Sequence, residues 1–280
     1  MRNRVVALSM IAAAAIAAAA YSTATPVTAQ GAARAAFTPA RVNGQQPDLQ
    51  GIWRAWNLAR YDLEDHGAKP GVPAGRGFVV DPPDGRIPYR SEMLAQRTKN
   101  YEGTKTPDPA KNTDPYAKCC IPGIPRYTYL GWPFQIVQTP QYVMFDYEWS
   151  HKKRLVPVTS VPAPKPAEEG EGNWSGMPRG RFDGNALVVS LTNFNPYTWF
   201  DMAGNFHSDA LKVTERYSLL DADTMQYEAT MEDPKVFTRP WTIRMTLQRQ
   251  KDTPLLDYEC TGMLDELGIH HTWPRDFDVN

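Results

Sequence analysis

The segment from Asp201 to Asp209 carries the residue types that general acid–base catalysis needs. His207 lies two residues before Asp209, so both side chains would point to one side of an extended chain, and Asp201 lies in the preceding loop. An imidazole near neutrality, oriented by a carboxylate, can move a proton at physiological pH. In the alternative interpretation, Asp201 caps a turn and His207 hydrogen-bonds to loop carbonyls. A metal bound by Asp201, His207 and Asp209 is a weaker hypothesis, and the pattern favours a site without metal.

Glu215 is the fourth candidate catalytic residue. In the alternating segment 211–219 it falls on the apolar side. A carboxylate that points into a core is costly unless it is paired. Glu215 therefore either pairs with an arginine of another strand, Arg244 or Arg239, or lines a polar pocket as a proton donor.

Aromatic residues gather around the ends of the predicted strands. Large rings bury much apolar area, so they are core residues, walls of a cavity for an apolar or ring-bearing ligand, or some of each. Arg179, Arg181, Arg239 and Arg244 are candidate partners for a carboxylate on such a ligand, although a solvated surface is the default interpretation. The candidate substrate-binding residues are Trp132, Phe134, Tyr147, Trp174, Tyr197, Trp199, Tyr227, Arg239 and Trp241.

Composition and motifs exclude several classes of protein. The 280 residues are 42% hydrophobic with a net charge of -1, which is typical of a globular protein and gives no electrostatic footprint for nucleic acid. The sequence has no Gly-x-Ser-x-Gly elbow, His-Glu-x-x-His, phosphate-binding loop, dinucleotide fingerprint or Cys-x-x-Cys. We therefore expect no cofactor.

The first thirty residues resemble a Sec-type signal peptide. Arg2 and Arg4 precede an apolar run over 5–20, and small residues lead to a cleavage site after Ala29. The alternative is a membrane anchor, but the run is shorter than the ~20 residues that a bilayer needs. We expect a periplasmic or secreted protein that is not inserted in the membrane after cleavage.

Export would place the three cysteines in an oxidising compartment. Cys119 and Cys120 are adjacent, and Cys260 follows much later in the chain. Either of the pair can bridge to Cys260, or all three can be buried thiols. The sequence leaves these alternatives open.

The mature chain divides into four parts by composition. We predict a flexible leader over 30–46, a wrap rich in Pro and Gly over 47–131, an antiparallel β domain over 132–262 and a C-terminal tail over 263–280. The 25 prolines argue against a helical bundle, and one helix is predicted in the wrap, over 91–102.

Alternating residues predict eight strands in the β domain. They are 134–139, 142–148, 154–158, 186–192, 211–219, 224–232, 242–248 and 255–260. Short strands separated by turn residues are typical of antiparallel folds. The predicted fold class is therefore mainly β, an antiparallel barrel or calycin-like β-sandwich with a Pro/Gly-rich N-terminal wrap and few helices.

Several long strings resemble a widespread family of exported bacterial proteins without assigned catalytic residues. The most specific are PFQIVQTP at 133–140, HSDALKVTER at 207–216 and EDPKVFTRPWT at 232–242. The resemblance covers roughly 47–260 and implies kinship and export. The chain departs from the family after Cys260, where Thr-Gly-Met replaces the usual His-Glu-Gly-Asn.

These observations favour an exported protein that handles a small hydrophobic or aromatic molecule in a barrel cavity. The leading hypothesis is a cofactor-independent acid–base enzyme, namely a lyase, isomerase or hydrolase. The alternatives are a non-catalytic binding or carrier protein and an interaction module that uses exposed aromatics. Ionisable groups that converge in the cavity would favour the enzyme, and a filled interior would favour the interaction module. The sequence does not indicate the oligomeric state.

Overall fold

A computed structural model describes residues 37–42, 44–106, 108, 111–158, 172–258 and 260. The predicted signal peptide, the C-terminal tail and about half of the predicted leader (30–36 and Asn43) lie outside the described residues. So does the whole loop between Val158 and Gly172.

The described chain is mainly β, as predicted, and is built on one large antiparallel sheet. The strand order is β7-β6-β5-β3-β12-β11-β10-β9-β8, with β4 paired to β12 beside this path. The strands of this sheet are β3 (Gly51–Arg54), β4 (Val79–Asp81), β5 (Phe134–Gln138), β6 (Tyr142–Tyr147), β7 (Lys153–Pro157), β8 (Met177–Asp183), β9 (Ala186–Thr192), β10 (Lys212–Leu219), β11 (Thr224–Glu232) and β12 (Trp241–Gln250). A separate small sheet pairs β1 (Arg41–Val42) with β2 (Gln46–Pro47).

Alternation along the strands sorts the two faces of the sheet. In β11 every second residue from Met225 to Met231 is fully buried, and the residues between them are partly exposed. β12 continues the pattern, because Glu228 lies opposite Arg244 and Tyr227 lies opposite Met245 in the ladder. One face of the sheet therefore forms the core and the other meets solvent.

The sheet folds over on itself without closing into a barrel. Among the described residues, β7 and β8 end the strand order and no ladder joins them. They nevertheless approach closely, since a Cβ on Gly180 would lie 2.7 Å from a methyl group of Val156. Across the interior, the rings of Phe145 and Tyr217 lie 5.2 Å apart. The barrel alternative is therefore wrong, and the sandwich-like arrangement describes the fold.

Seven of the eight predicted strands are present, with small shifts at their ends. The eighth, 255–260, is not a strand: Tyr258 makes only an isolated bridge to Trp149. β8 was not predicted, because Pro178 and Gly180 interrupt its apolar alternation. β3 and β4 come from the predicted wrap, so the sheet crosses the predicted boundary at residue 131.

Helices are few, as expected. The predicted helix over 91–102 is a 3₁₀ turn at Ser91–Met93 followed by α1 (Leu94–Thr104), which continues through Gly103. Ser91 donates to the Glu92 carboxylate rather than capping the backbone. α2 (Arg126–Tyr129) is a single buried turn before β5. Among the described residues, no helix is long and apolar enough to cross a membrane.

A disulfide joins Cys119 to Cys260 across 141 residues of sequence. Cys120 is a free, half-buried thiol, and burial raises its pKa. The disulfide resolves the alternatives that the sequence left open. It fastens the chain after β12 to the loop that precedes α2.

Candidate functional site

His207 is held in a buried loop between β9 and β10. Its Nδ1 lies 2.8 Å from the Ser208 carbonyl oxygen, which only accepts, so Nδ1 donates and Nε2 accepts. Thr198 Oγ1 then donates to Nε2 at 2.7 Å. Burial lowers the pKa of His207, so the ring is neutral near pH 7. A hydroxyl that donates to a neutral imidazole is the arrangement of a nucleophile and its base, but both side chains are only 2% exposed.

Asp201 organises the loop before His207. Its carboxylate accepts hydrogen bonds from the backbone amides of Leu63, Ala203 and Asn205 and from the Asn205 side chain. Burial, with repulsion from Asp62, raises the pKa of Asp201 to about 7. With four donors around it and no exposed surface, Asp201 joins two loops, which matches the structural interpretation of its role.

Glu215 lies in the centre of the folded sheet and pairs with an arginine, as one of the two interpretations held. The partner is Arg154 of β7, whose Nη1 lies 2.5 Å from Glu215 Oε2. The hydroxyls of Tyr217 and Tyr227 donate to the other carboxylate oxygen, each at 2.8 Å. Arg154 and Glu215 are only 4% and 0% exposed, so this cluster is buried.

The arginines expected to pair with Glu215 lie on the surface instead. Arg239 binds Asp81, and Arg244 binds Glu228. Asp209, the predicted partner of His207, forms a surface ion pair with Lys235, and that contact lowers its pKa. The segment around His207 is not a strand, so the two-residue spacing does not align the two side chains.

The four candidate catalytic residues therefore make four separate sets of contacts. His207 contacts Thr198 and Ser208, whereas the partners of Asp201, Glu215 and Asp209 are other residues. The described residues contain no group of three His, Cys, Asp or Glu side chains placed to hold a metal ion.

The candidate ligand-binding rings fall into two groups. Phe134, Tyr147, Tyr227 and Trp241 are core residues that are at most 2% exposed. Trp132, Trp174, Tyr197 and Trp199 are half-buried near the loops. The ring of Trp132 lies against Tyr258 and that of Trp174 against Tyr197, each pair tilted, with interplanar angles of 38° and 45°. In the core, Phe134 packs against Tyr147, Tyr227 against Tyr217, and Trp241 against Phe237.

An open groove of about 340 Å³ lies on the solvent side of the sheet. It occupies a notch along β12, where β3 has ended and β4 has not begun. Trp56 and Asn57 follow β3, and Phe78 precedes β4. The lining residues are Trp56, Asn57, Phe78, Gln226, Arg244, Met245 and Thr246.

Trp56 gives this groove its aromatic wall. Trp56 is 63% exposed, whereas the nearby Trp53 is fully buried in the core. The Arg54 guanidinium covers one face of the Trp56 ring, 3.7 Å from its centroid. Asn57 fixes the start of the loop, since its side chain donates to Met245 and accepts from the Ala59 amide. Leu58 and Val80 add exposed apolar surface nearby in the sequence.

Sequence reasoning did not single out Trp56, Thr198, Gln226 or Thr246. Strand alternation gave no signal for the exposure of Trp56, because this residue follows the end of β3 at Arg54. No protein-family model matches the chain, and no curated protein matches it significantly, so the family resemblance stays a prediction.

Proposed function

We propose that this chain is an exported protein that binds a small hydrophobic or aromatic molecule in the groove beside Trp56, without transforming it. The observation that carries the proposal is the composition of the groove. It combines the exposed indole of Trp56 and the ring of Phe78 with three uncharged polar side chains, Met245 and one ionisable group, Arg244. Acid–base chemistry needs a proton donor or acceptor near the substrate, and this lining supplies neither a carboxylate nor an imidazole.

The dimensions of the groove also fit a small ligand. Its volume of about 340 Å³ is at the lower end of the range for small-molecule sites, which suits a compound of one or two rings. Trp56 is rigid and flat, so it offers a large contact area at a low cost in side-chain entropy. An exposed tryptophan with apolar neighbours is typical of a binding surface.

Export is supported by two independent features. The N-terminal residues have the pattern of a signal peptide, and Cys119 is bridged to Cys260. Disulfides persist in oxidising compartments and are rare in the cytosol.

Saturation-transfer NMR with a panel of small aromatic compounds tests the binding function. We expect bound compounds with the wild-type protein and loss of their signal with Trp56→Ala. Leu155→Ala is the matched control, because Leu155 is an exposed apolar residue, 53% exposed, on the distant strand β7. Binding that survives Trp56→Ala, or that Leu155→Ala removes equally, contradicts the proposal.

A second candidate function is acid–base catalysis at Thr198 and His207, and their hydrogen bond is the observation that favours it. It ranks second because both groups are buried and Gly123 packs directly against Thr198. A fluorophosphonate should add covalently to Thr198 if this hydroxyl is an activated nucleophile. Peptide mapping should place the adduct on Thr198, and Thr198→Val should abolish it. An unchanged intact mass argues against this second function.

A further inference from the structure

The guanidinium of Arg244 is oriented at the groove with part of its hydrogen-bonding capacity unused. Its Nε donates to Glu228, which lies directly opposite in the β11–β12 ladder. Within the described part of the chain, its Nη1 and Nη2 make no hydrogen bond to protein. The side chain is 51% exposed, so these two amines are available to a ligand.

The charges around the groove favour an anion. Arg244 and Arg54 bring two positive charges, and Glu228 brings one negative charge. Arg54 lies on the same face as Trp56 and has a buried Nε without a hydrogen-bond partner. Glu228 offsets part of the positive field but also fixes the plane of the Arg244 guanidinium. Planar guanidinium groups bind carboxylates with two parallel hydrogen bonds.

Neutral polar groups lie beside this charge. Gln226 and Thr246 face each other across the ladder and both line the groove. Among the described residues, neither the Gln226 amide nor the Thr246 hydroxyl makes a side-chain hydrogen bond to protein. They can therefore donate to or accept from a hydroxyl group on a ligand.

We propose that the groove takes a ring compound that carries a carboxylate. The ring lies against Trp56 and Phe78, and the carboxylate accepts hydrogen bonds from Nη1 and Nη2 of Arg244. This inference rests on the proposed binding function and specifies its ligand class. The proposed function favours an aromatic acid, and a sugar acid, which offers the same carboxylate on a polar ring, is the comparison that tests the ring.

Titration calorimetry with three probes tests the ligand class: 4-hydroxybenzoate, its neutral analogue 4-hydroxybenzamide, and glucuronate. We expect at least one acid to bind the wild-type protein about tenfold more tightly than the amide. Arg244→Gln should remove that preference and leave the affinity for the amide within about twofold. The preferred acid identifies the ring as aromatic or saccharide.

Arg86→Gln is the matched control, since Arg86 is also an exposed arginine in an ion pair, with Glu64, and does not line the groove. It should leave all three affinities unchanged. Thermal unfolding verifies that Arg244→Gln is folded, because an exposed ion pair such as Arg244–Glu228 contributes little to stability.

The outcomes separate this inference from the function on which it rests. If Trp56→Ala weakens binding while Arg244→Gln affects acid and amide equally, the ligand class is wrong and the binding function stands. If neither acid binds the wild-type protein at millimolar concentration, the ligand class is also overturned. If Trp56→Ala leaves binding of every probe unchanged, the proposed function fails as well.

Discussion

Arg154→Met should destabilise the protein strongly, because it leaves the carboxylate of Glu215 buried without a cation. Both residues are nearly inaccessible, and their closest atoms lie 2.5 Å apart. Removing one partner of such a pair typically costs about 3–5 kcal/mol. For a domain of this size, that loss lowers the melting temperature by about 6–20 °C.

A second substitution separates the charge from the packing. In the double variant Arg154→Met/Glu215→Gln, the amide oxygen still accepts from the hydroxyls of Tyr217 and Tyr227, which donate to Glu215 in the wild type. No charge is then buried, so we expect the double variant to recover about 2 kcal/mol relative to Arg154→Met. Such non-additivity is the sign of a direct interaction.

Urea unfolding of the oxidised protein, followed by tryptophan fluorescence, measures these differences. The control is Arg216→Met, which breaks an exposed ion pair with Asp183 and should cost at most about 1 kcal/mol. The reasoning fails if Arg154→Met costs no more than Arg216→Met at an unchanged denaturant slope. It also fails if the free energy lost in the double variant equals the sum of the losses in Arg154→Met and Glu215→Gln measured separately.

Three further variants test other parts of the fold. The pKa of Asp201 is raised to about 7 in the native state. Between about pH 4 and pH 7, the native state therefore holds a proton on this carboxyl group, whereas the unfolded chain has released it. Stability should fall across that window as the pH rises, by up to about 1.4 kcal/mol per pH unit, and urea unfolding of Asp201→Asn should show a flatter profile; equal slopes would refute this. Cys119→Ser removes the disulfide that closes a loop of 141 residues, so its free energy of unfolding should fall by up to about 5 kcal/mol in the same assay. Cys120→Ser removes a free thiol and should unfold like the wild type, and equal losses in the two variants would contradict the disulfide. Gly123→Ala puts a Cβ 2.5 Å from the Thr198 hydroxyl and should lower the melting temperature more than Gly184→Ala, which meets no atom within 4 Å at a similarly positive φ; the reverse order would count against the packing.

The sequence predicted which residues face the core better than it predicted their partners. Alternation along β10 correctly put Glu215 on the buried face. Its expected partners lay on β12 or just before it, but those arginines face solvent, and the actual partner, Arg154, comes from β7 across the interior. Alternation describes one strand at a time, whereas contacts across the interior depend on how far the whole sheet folds over.

The candidate site was predictable only in part. Residue type indicated that aromatic side chains could bind a ligand, but it did not indicate which of them are buried. In the structure Trp53 lies in the core and Trp56 is exposed. The groove itself depends on a gap between β3 and β4 along β12, and these segments are separated by many residues. The predicted pairing of His207 with Asp209 failed for a different reason: it assumed the two-residue alternation of a strand, and this segment is a loop.

The position of β3 has a consequence for the order of assembly. This strand lies early in the chain, yet it is inserted between β5 and β12, and its register joins Arg54 to Gln248. Its hydrogen bonds on one side must wait until almost two hundred further residues have been synthesised. Such non-local pairing slows folding. A newly made chain therefore cannot complete this side of β3 until β12 has been synthesised.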